Sequence, residues 1–365
     1  MKAGILLQVN TPLVIEDVDL SEPAASEVLV KISAVGVCHT DLSVVHGKTR
    51  QPLPMVLGHE GAGVVERVGS EVTTVKPGDH VVLSPLAYCR ECAPCKKGKP
   101  YLCKVAVANV SRGSLLDGTK RLRRKNGQQV SHLYGQASFA EYAVVPEVCA
   151  VKIRHDVPLE KAALFGCGAA TGIGAVLNAA QVESGDRVAV FGCGGVGLSA
   201  IMAARVAGAA QIIAVDTLDH KLQLAQELGA THTINVSHQN PVHEIHRLTG
   251  GGVDHALECT GNPKVMEQAF QAAAVGGKTV IAGVAPMGAT INLAAMSFLF
   301  NKSVQGVSLG NIRPEIDIPK FVDLFANGQL PIDRMISRTY SLEQVNEALA
   351  AIDGGEVVRS VVVFS

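Results

Sequence analysis

The chain has 365 residues, 47% of them apolar and 18% charged, which is enough to build a globular core and suggests two domains at ordinary domain sizes. Lys and Arg number 32 against 33 Asp and Glu, so the basic excess of a nucleic-acid-binding protein is missing. Gly, Pro or charge interrupts every apolar run before it reaches bilayer length, and residues 1–10 read as a strand, not an export signal, so a cytosolic protein without a membrane partner is expected.

Residues 27–37 form a β-rich run, and residues 61–68 form another. Pro77-Gly78-Asp79 is a turn ahead of an apolar strand at residues 80–83. A folded β domain is expected here. Two small clusters punctuate it, Gly36-Val37-Cys38-His39-Thr40-Asp41 and Gly58-His59-Glu60, and Gly166-Cys167-Gly168 follows later. Each sets a Cys or His beside glycine, where backbone approaches closely. Cys38, His59 and Cys167 would offer a metal two sulfurs and one nitrogen, leaving the open fourth position that catalytic zinc requires. Spacing alone does not unite the three, because a lone Cys is commonly a small core residue.

Cys89, Cys92, Cys95 and Cys103 form Cys-x2-Cys-x2-Cys-x7-Cys. Cysteines in a reducing compartment are poor disulfide candidates, and four thiolates at this spacing suit a closed tetrahedral zinc. Pro94, Gly98 and Pro100 leave the segment little apolar content, so the metal would hold together what a core does not. An iron–sulfur cluster takes the same donors, but nothing else in the chain suggests electron transfer. The basic cluster from Arg121 to Lys125 reads as a solvated loop.

Beyond Thr171 strands and helices alternate. Strands are expected at 187–191, 211–216, 232–236, 253–258, 278–284 and 303–308, with helices at 196–207 and 220–228. Short apolar strands separated by helices imply a parallel sheet covered on both faces, and six of them fit the doubly wound dinucleotide fold. Gly192, Gly194 and Gly197, with Gly195 and Val196 between, have the fingerprint spacing for a pyrophosphate loop at a helix N-terminus. The next strand ends in Asp216, 19 residues after Gly197, close to where a ribose-binding acid belongs. A carboxylate there accepts from ribose hydroxyls and repels a 2′-phosphate, so NAD is expected over NADP. Lys221 would approach the same ribose or be an ordinary solvated lysine. After Gly310, helical runs at 318–327 and 342–352 and a strand at 357–364 return the chain to the first domain.

Taken together, the motifs resemble the zinc-containing medium-chain alcohol dehydrogenases over essentially the whole chain. The residues carrying the likeness are 36–41, 58–63, the four-cysteine loop, 166–172 and the loop 192–197. The resemblance implies an α/β protein with a mostly β GroES-like catalytic domain (residues 1–168 and 310–365) and a Rossmann NAD-binding domain (residues 169–309). It implies two zinc ions per chain, a catalytic one on Cys38, His59 and Cys167 and a structural one on Cys89, Cys92, Cys95 and Cys103. Glu60 would lie behind the catalytic metal and swap in as a ligand, and Asp41 would orient His59. Thr40 would contact the substrate hydroxyl and pass its proton on. His39 and Arg359 would meet the cofactor pyrophosphate. Many relatives complete the proton relay with a histidine where this chain has Ser43, so the relay ends at the ribose or runs through Ser43 and water.

The implied reaction is reversible oxidation of a primary alcohol to the aldehyde by hydride transfer to NAD. Glutathione-dependent formaldehyde dehydrogenases share the architecture, but they carry acids before the Gly-His-Glu motif and an Arg after the zinc loop. Here those stretches read Lys48-Thr49-Arg50-Gln51 and Lys104-Val105-Ala106-Val107. An uncharged aromatic, allylic or medium-chain alcohol is therefore favoured, as in bacterial aryl and benzyl alcohol dehydrogenases. S-(hydroxymethyl)glutathione is the alternative substrate. A non-catalytic NAD(P)H-binding relative of the quinone reductase branch is a different class, and the complete ligand sets argue against it. Residues 291–300 and the strand after them would extend the sheet across a subunit boundary, giving a homodimer or homotetramer.

Overall fold

The strand Glu27–Val37 organises the first half of the chain. Its inward β-branched residues Val28, Val30, Ile32 and Val35 are buried, while Lys31 is exposed. It pairs antiparallel with Gly61–Val68 on one side and with Tyr142–Pro146 and Arg359–Val363 on the other, so residues far apart in sequence meet along one strand. The sheet continues through His80–Leu83 to Ala150–Lys152 and through Arg359–Val363 to Ile336–Tyr340. A second strand system closes into a barrel of Lys2–Leu6, Val14–Leu20, Leu122–Arg124, Gln129–His132 and Met55–Val56. Ile5, Leu6, Met55, Leu57 and Phe139 are fully buried in this half of the protein, each worth about 1.5–3 kcal/mol relative to exposure.

The computed structural model describes residues 1–355 and 357–364, and these fall into two compact units. The first comprises Met1–Cys167, Ile312–Ala326 and the chain from Ile332 onward; the second comprises Gly168–Asn311 and Asn327–Pro331. Gly168 and residues 310–311 and 327–331, expected with the first unit, group with the second. Among the described residues no single helix is long and apolar enough to cross a membrane.

In the second unit six parallel strands stand in the order His232–Asn235, Gln211–Asp216, Arg187–Phe191, Val253–Glu258, Ala273–Ile281 and Ser303–Gly306. The sheet runs outward in both directions from Arg187–Phe191, and the carboxyl end beside that strand is where such folds bind ligands. Val188, Ala189, Val190 and Phe191 are buried without interruption, as expected of a strand covered on both faces.

Two local expectations change. The strand placed at 278–284 runs from Ala273 to Ile281, and Val284 is 81% exposed beyond its end. The basic stretch 121–125 is not a solvated loop. Leu122–Arg124 is a barrel strand paired with Val14–Leu20, which carries acids to meet the bases. Arg121 bonds Glu27 and Asp117, Arg124 bonds Glu16, and Lys125 bonds Asp19. Cross-strand opposite charge stabilises the pairing.

Candidate active site and cofactor loop

The first metal centre is assembled by three turns of backbone within the first unit. Strand Glu27–Val37 hands over to Cys38, whose extended backbone begins the helix His39–Val45. Asp41, in the first turn, is fully buried and ties the site together. Its Oδ2 accepts from the Cys38 N–H at 3.2 Å, while Oδ1 accepts from the Gly58 N–H at 3.0 Å and meets His59 Nδ1 at 3.2 Å. That pairing orients the imidazole so that Nε2 is the remaining nitrogen. Cys38, His59, Glu60 and Cys167 place their donor atoms within 4.8 Å of one another.

Electrostatics and satisfaction both fit a divalent soft cation there. His59 Nε2 is buried without a hydrogen-bond partner. A hydrogen bond from Cys167 holds Cys38 well below the usual thiol range, against burial and with help from His59 and Arg359. Cys167, bonded to Cys38 and buried beside its negative charge, is pushed well above that range. Burial opposes charge on His59, but Asp41 and the two sulfurs outweigh it and raise the imidazole well above its ordinary value. Two sulfurs and the free imidazole nitrogen are the donor set that zinc would take here.

Glu60 is fully buried and bonds the Arg359 guanidinium through Oε2. Gly36 makes room for that pair, since a Cβ at residue 36 would stand 2.1 Å from Glu60 Oε2 and 3.0 Å from Arg359 Nη2. Arg359, expected to meet phosphate, is 5% exposed. Burial works against its charge, but Glu60 and the two cysteine sulfurs raise its pKa. Thr40 is half-buried one position into the helix, and His39 is exposed before it. Ser43 turns back to donate to the His39 carbonyl at 3.0 Å. His46, at the helix end, pairs with Asp353 at 3.3 Å.

The four-cysteine lobe closes on a second cluster of sulfurs. Cys92 Sγ lies 3.4 Å from Cys95 Sγ and 3.8 Å from Cys103 Sγ. A tetrahedron with metal–sulfur bonds of about 2.3 Å has edges of about 3.8 Å, so the spacing fits zinc. Backbone N–H groups of Cys89 and Ala106 point at Cys103 Sγ, and that of Cys92 points at Cys89 Sγ. Hydrogen bonding from Cys95 lowers Cys92 to about 6, and burial pushes Cys95 up to about 12. The helix Ala93–Lys96 inside the lobe buries none of its residues, so apolar packing does not hold it.

In the second unit the glycine loop sits between Arg187–Phe191 and the helix Gly195–Val206. Gly197 packs against its own loop, since a Cβ there would meet the Gly192 carbonyl at 1.8 Å. A Cβ on Gly194 would stand in open space, so the loop leaves a clear approach where pyrophosphate is expected. Asp216 ends the adjacent strand. Its carboxylate accepts the N–H groups of Cys193 at 2.7 Å, Thr217 at 2.8 Å and Leu218 at 3.1 Å. Lys221 is half-buried on the helix Asp219–Glu227, near enough for its charge to act on Cys193.

Sequence reasoning missed Tyr134. Its ring lies 5.3 Å from that of His59, with φ of +51° in the short turn Leu133–Gly135. Burial raises its phenol, and the His59 charge opposes that rise. A tyrosine beside a glycine carried no spacing signal. The metal set also gave no hint that Arg359 lies beside it.

Comparison with known proteins agrees with this geometry. Residues 24–155 match the alcohol dehydrogenase GroES-like domain family, and residues 195–327 match the zinc-binding dehydrogenase family. The chain is 41% identical to an S-(hydroxymethyl)glutathione dehydrogenase of Paracoccus denitrificans, covering all of this chain (100%) and 99% of that protein. Among solved structures, a zinc-binding-domain alcohol dehydrogenase protein of Burkholderia ambifaria superimposes with a TM-score of 0.97 at 41% identity, covering 100% of this chain and 98% of the other. Benzyl alcohol dehydrogenase of Acinetobacter calcoaceticus gives 0.95 at 37%, covering 100% and 99%. The chain belongs to the zinc-dependent medium-chain alcohol dehydrogenases. It is an oxidoreductase with NAD and zinc as its cofactors.

Proposed function

We propose that the protein oxidises an uncharged primary alcohol, aromatic or allylic, to the aldehyde, with NAD as hydride acceptor. The observation carrying this reading is a charge pattern. Residues 46–58 contain no Asp or Glu, so an ammonium group has no partner there. Val107, 70% exposed, stands where the glutathione-dependent enzymes place an arginine for a carboxylate. The likeness to a benzyl alcohol dehydrogenase supports the same reading. A second reading, S-(hydroxymethyl)glutathione as substrate, is favoured by the names of several relatives near 40% identity.

Bound zinc supplies Lewis acidity that favours loss of the alcohol proton, and bound NAD supplies the hydride acceptor. Cys38, His59 and Cys167 hold the metal, and Asp41 fixes the ring of His59. Thr40 accepts the substrate proton at Oγ1 as its own hydroxyl proton passes on toward solvent. Ser43, whose hydroxyl bonds the His39 carbonyl, does not extend that relay. Glu60 and Arg359 balance charge behind the metal. The backbone from Gly192 to Gly197 cradles pyrophosphate, and Asp216 with Lys221 takes the ribose.

An oligomer fits the outer edge of the second unit. Met287, Met296, Leu299 and Phe300 are 87%, 64%, 75% and 52% exposed before the edge strand Ser303–Gly306. Light scattering should give the mass of a dimer or tetramer. The function is tested by kcat/KM with NAD across benzyl alcohol, cinnamyl alcohol, ethanol and S-(hydroxymethyl)glutathione. Benzyl or cinnamyl alcohol is expected to lead; the glutathione adduct in first place refutes the substrate reading.

A further inference from the structure

The strand Val253–Glu258 ends in a carboxylate that the chemistry above leaves unused. Glu258 is fully buried. Its Oε1 accepts from the N–H groups of Thr260 at 2.6 Å and Gly261 at 2.9 Å, and from the Thr260 hydroxyl. Its Oε2 is buried with no hydrogen-bond partner. Burial raises its pKa above the usual carboxylate range, against those hydrogen bonds. A half-satisfied buried carboxyl is costly, which asks what its satisfied oxygen achieves.

That oxygen ties a turn directly beneath the dinucleotide loop. Phe191 and Glu258 are register partners on adjacent parallel strands, and the Cys259 N–H donates to the Phe191 carbonyl at 2.9 Å. Just beyond, a Cβ at Gly192 would come within 2.6 Å of Thr260 Cγ2. Gly192 has φ of +94°, so it makes the loop's tight turn while resting on that methyl. Thr260 is held from three directions. Glu258 binds its hydroxyl and amide, and its Oγ1 accepts from the Asn262 N–H at 3.1 Å. Asn262 in turn caps the helix Pro263–Ala272 by accepting from Lys264 at 3.0 Å. On the far side the Glu258 carbonyl accepts from Ala282 and Gly283, and a Cβ at Gly283 would stand 2.7 Å from Oε2. The turn therefore has no slack in which Thr260 could sink away from Gly192.

We propose that Glu258 is a positioning residue for NAD: through Thr260 it sets the height of Gly192, and with it the backbone N–H groups that meet the pyrophosphate. The proposal rests on the assignment of this loop to NAD. Only the acceptor at Oε1 is used, so an amide replaces the carboxyl and a methyl group does not. The test is NADH binding to the zinc-loaded enzyme by fluorescence titration without alcohol, followed by kinetics with benzyl alcohol. Glu258→Ala is expected to raise the Kd for NADH at least tenfold and the KM for NAD similarly, with the KM for alcohol within about twofold. Glu258→Gln is expected to stay within about threefold of wild type. A purely structural role would lower Tm and the active fraction while leaving the Kd of folded protein unchanged. An unchanged Kd in Glu258→Ala overturns the proposal, as does a Glu258→Gln variant as weak as Glu258→Ala. Should Glu258→Ala fail to fold, Thr260→Ser keeps the hydroxyl and removes the methyl under Gly192. It is expected to weaken NADH binding about fivefold or more, and wild-type affinity in that variant overturns the proposal. Wild-type protein that binds no NADH would remove the NAD assignment itself.

Discussion

Replacing Asp216 with serine should pull the cofactor preference toward NADP, and the size of the change can be worked out. The carboxylate is half-buried and fixed by three backbone N–H groups, so it does not swing away from an incoming ligand. A 2′-phosphate on the adenosine ribose would bring about two negative charges to about 5 Å from it. With an effective dielectric between about 40 and 80 for a half-exposed pair, the repulsion is about 1.7–3.3 kcal/mol, or roughly 15- to 300-fold. Serine removes that term. It also leaves some backbone donors at Cys193, Thr217 and Leu218 unmet, so binding of both cofactors weakens. The informative quantity is the ratio of kcat/KM with NADP to that with NAD, in which shared damage cancels. The ratio should rise at least about 15-fold, measured at fixed ionic strength because exposed charge is screened. An unchanged ratio would show that Asp216 does not discriminate between the cofactors.

Cys95→Ser should lose one zinc per chain and lower Tm by about 10 °C or more, because the helix Ala93–Lys96 buries nothing that replaces the metal; full metal content at wild-type Tm refutes the structural site. Thr40→Ala should cut alcohol oxidation by about 100- to 10,000-fold, while Ser43→Ala, whose hydroxyl bonds its own helix, should change it less than about twofold. Steady-state kinetics check both, and reversed sensitivities would refute the assigned relay. His132 is buried, and burial together with the charges of Lys120 and Arg121 pushes its imidazole down to about 3. Between about pH 6.5 and 3 the unfolded chain binds the extra proton, so this group should cost about 2 kcal/mol of stability at pH 5 relative to pH 7. His132→Gln should show a shallower loss in urea unfolding at those two pH values, and an equal loss contradicts the linkage.

What the sequence disclosed follows from how locally each feature is encoded. The four cysteines lie in one short loop, so their spacing alone indicates a closed metal site. The glycine loop and Asp216 sit in consecutive strand–turn–helix units whose apolar runs announce a parallel sheet. The catalytic ligands were less legible, since Cys38 and Cys167 come together only when strands distant in the chain pair. Arg359, read as a pyrophosphate contact, showed nothing of its second neighbour for that reason. Its strand lies beside Glu27–Val37, and this places its guanidinium on Glu60. The basic stretch 121–125 looked solvated because its neutralising acids, Glu16, Asp19 and Glu27, lie about a hundred residues earlier. Tyr134 and Glu258 left no trace, because their meaning rests on a left-handed turn and on a methyl beneath a glycine.

The Glu60–Arg359 contact joins residues 299 positions apart. During synthesis Glu60 leaves the ribosome long before its partner exists. At about 5–20 residues per second the interval is roughly 15–60 seconds. For that time the nascent β half must carry a carboxylate whose neutralising guanidinium has not been translated. The first unit can therefore reach its final electrostatic state only after the last strand is made. A chain truncated a few residues before Arg359 would retain every zinc ligand and yet lack the guanidinium behind the metal.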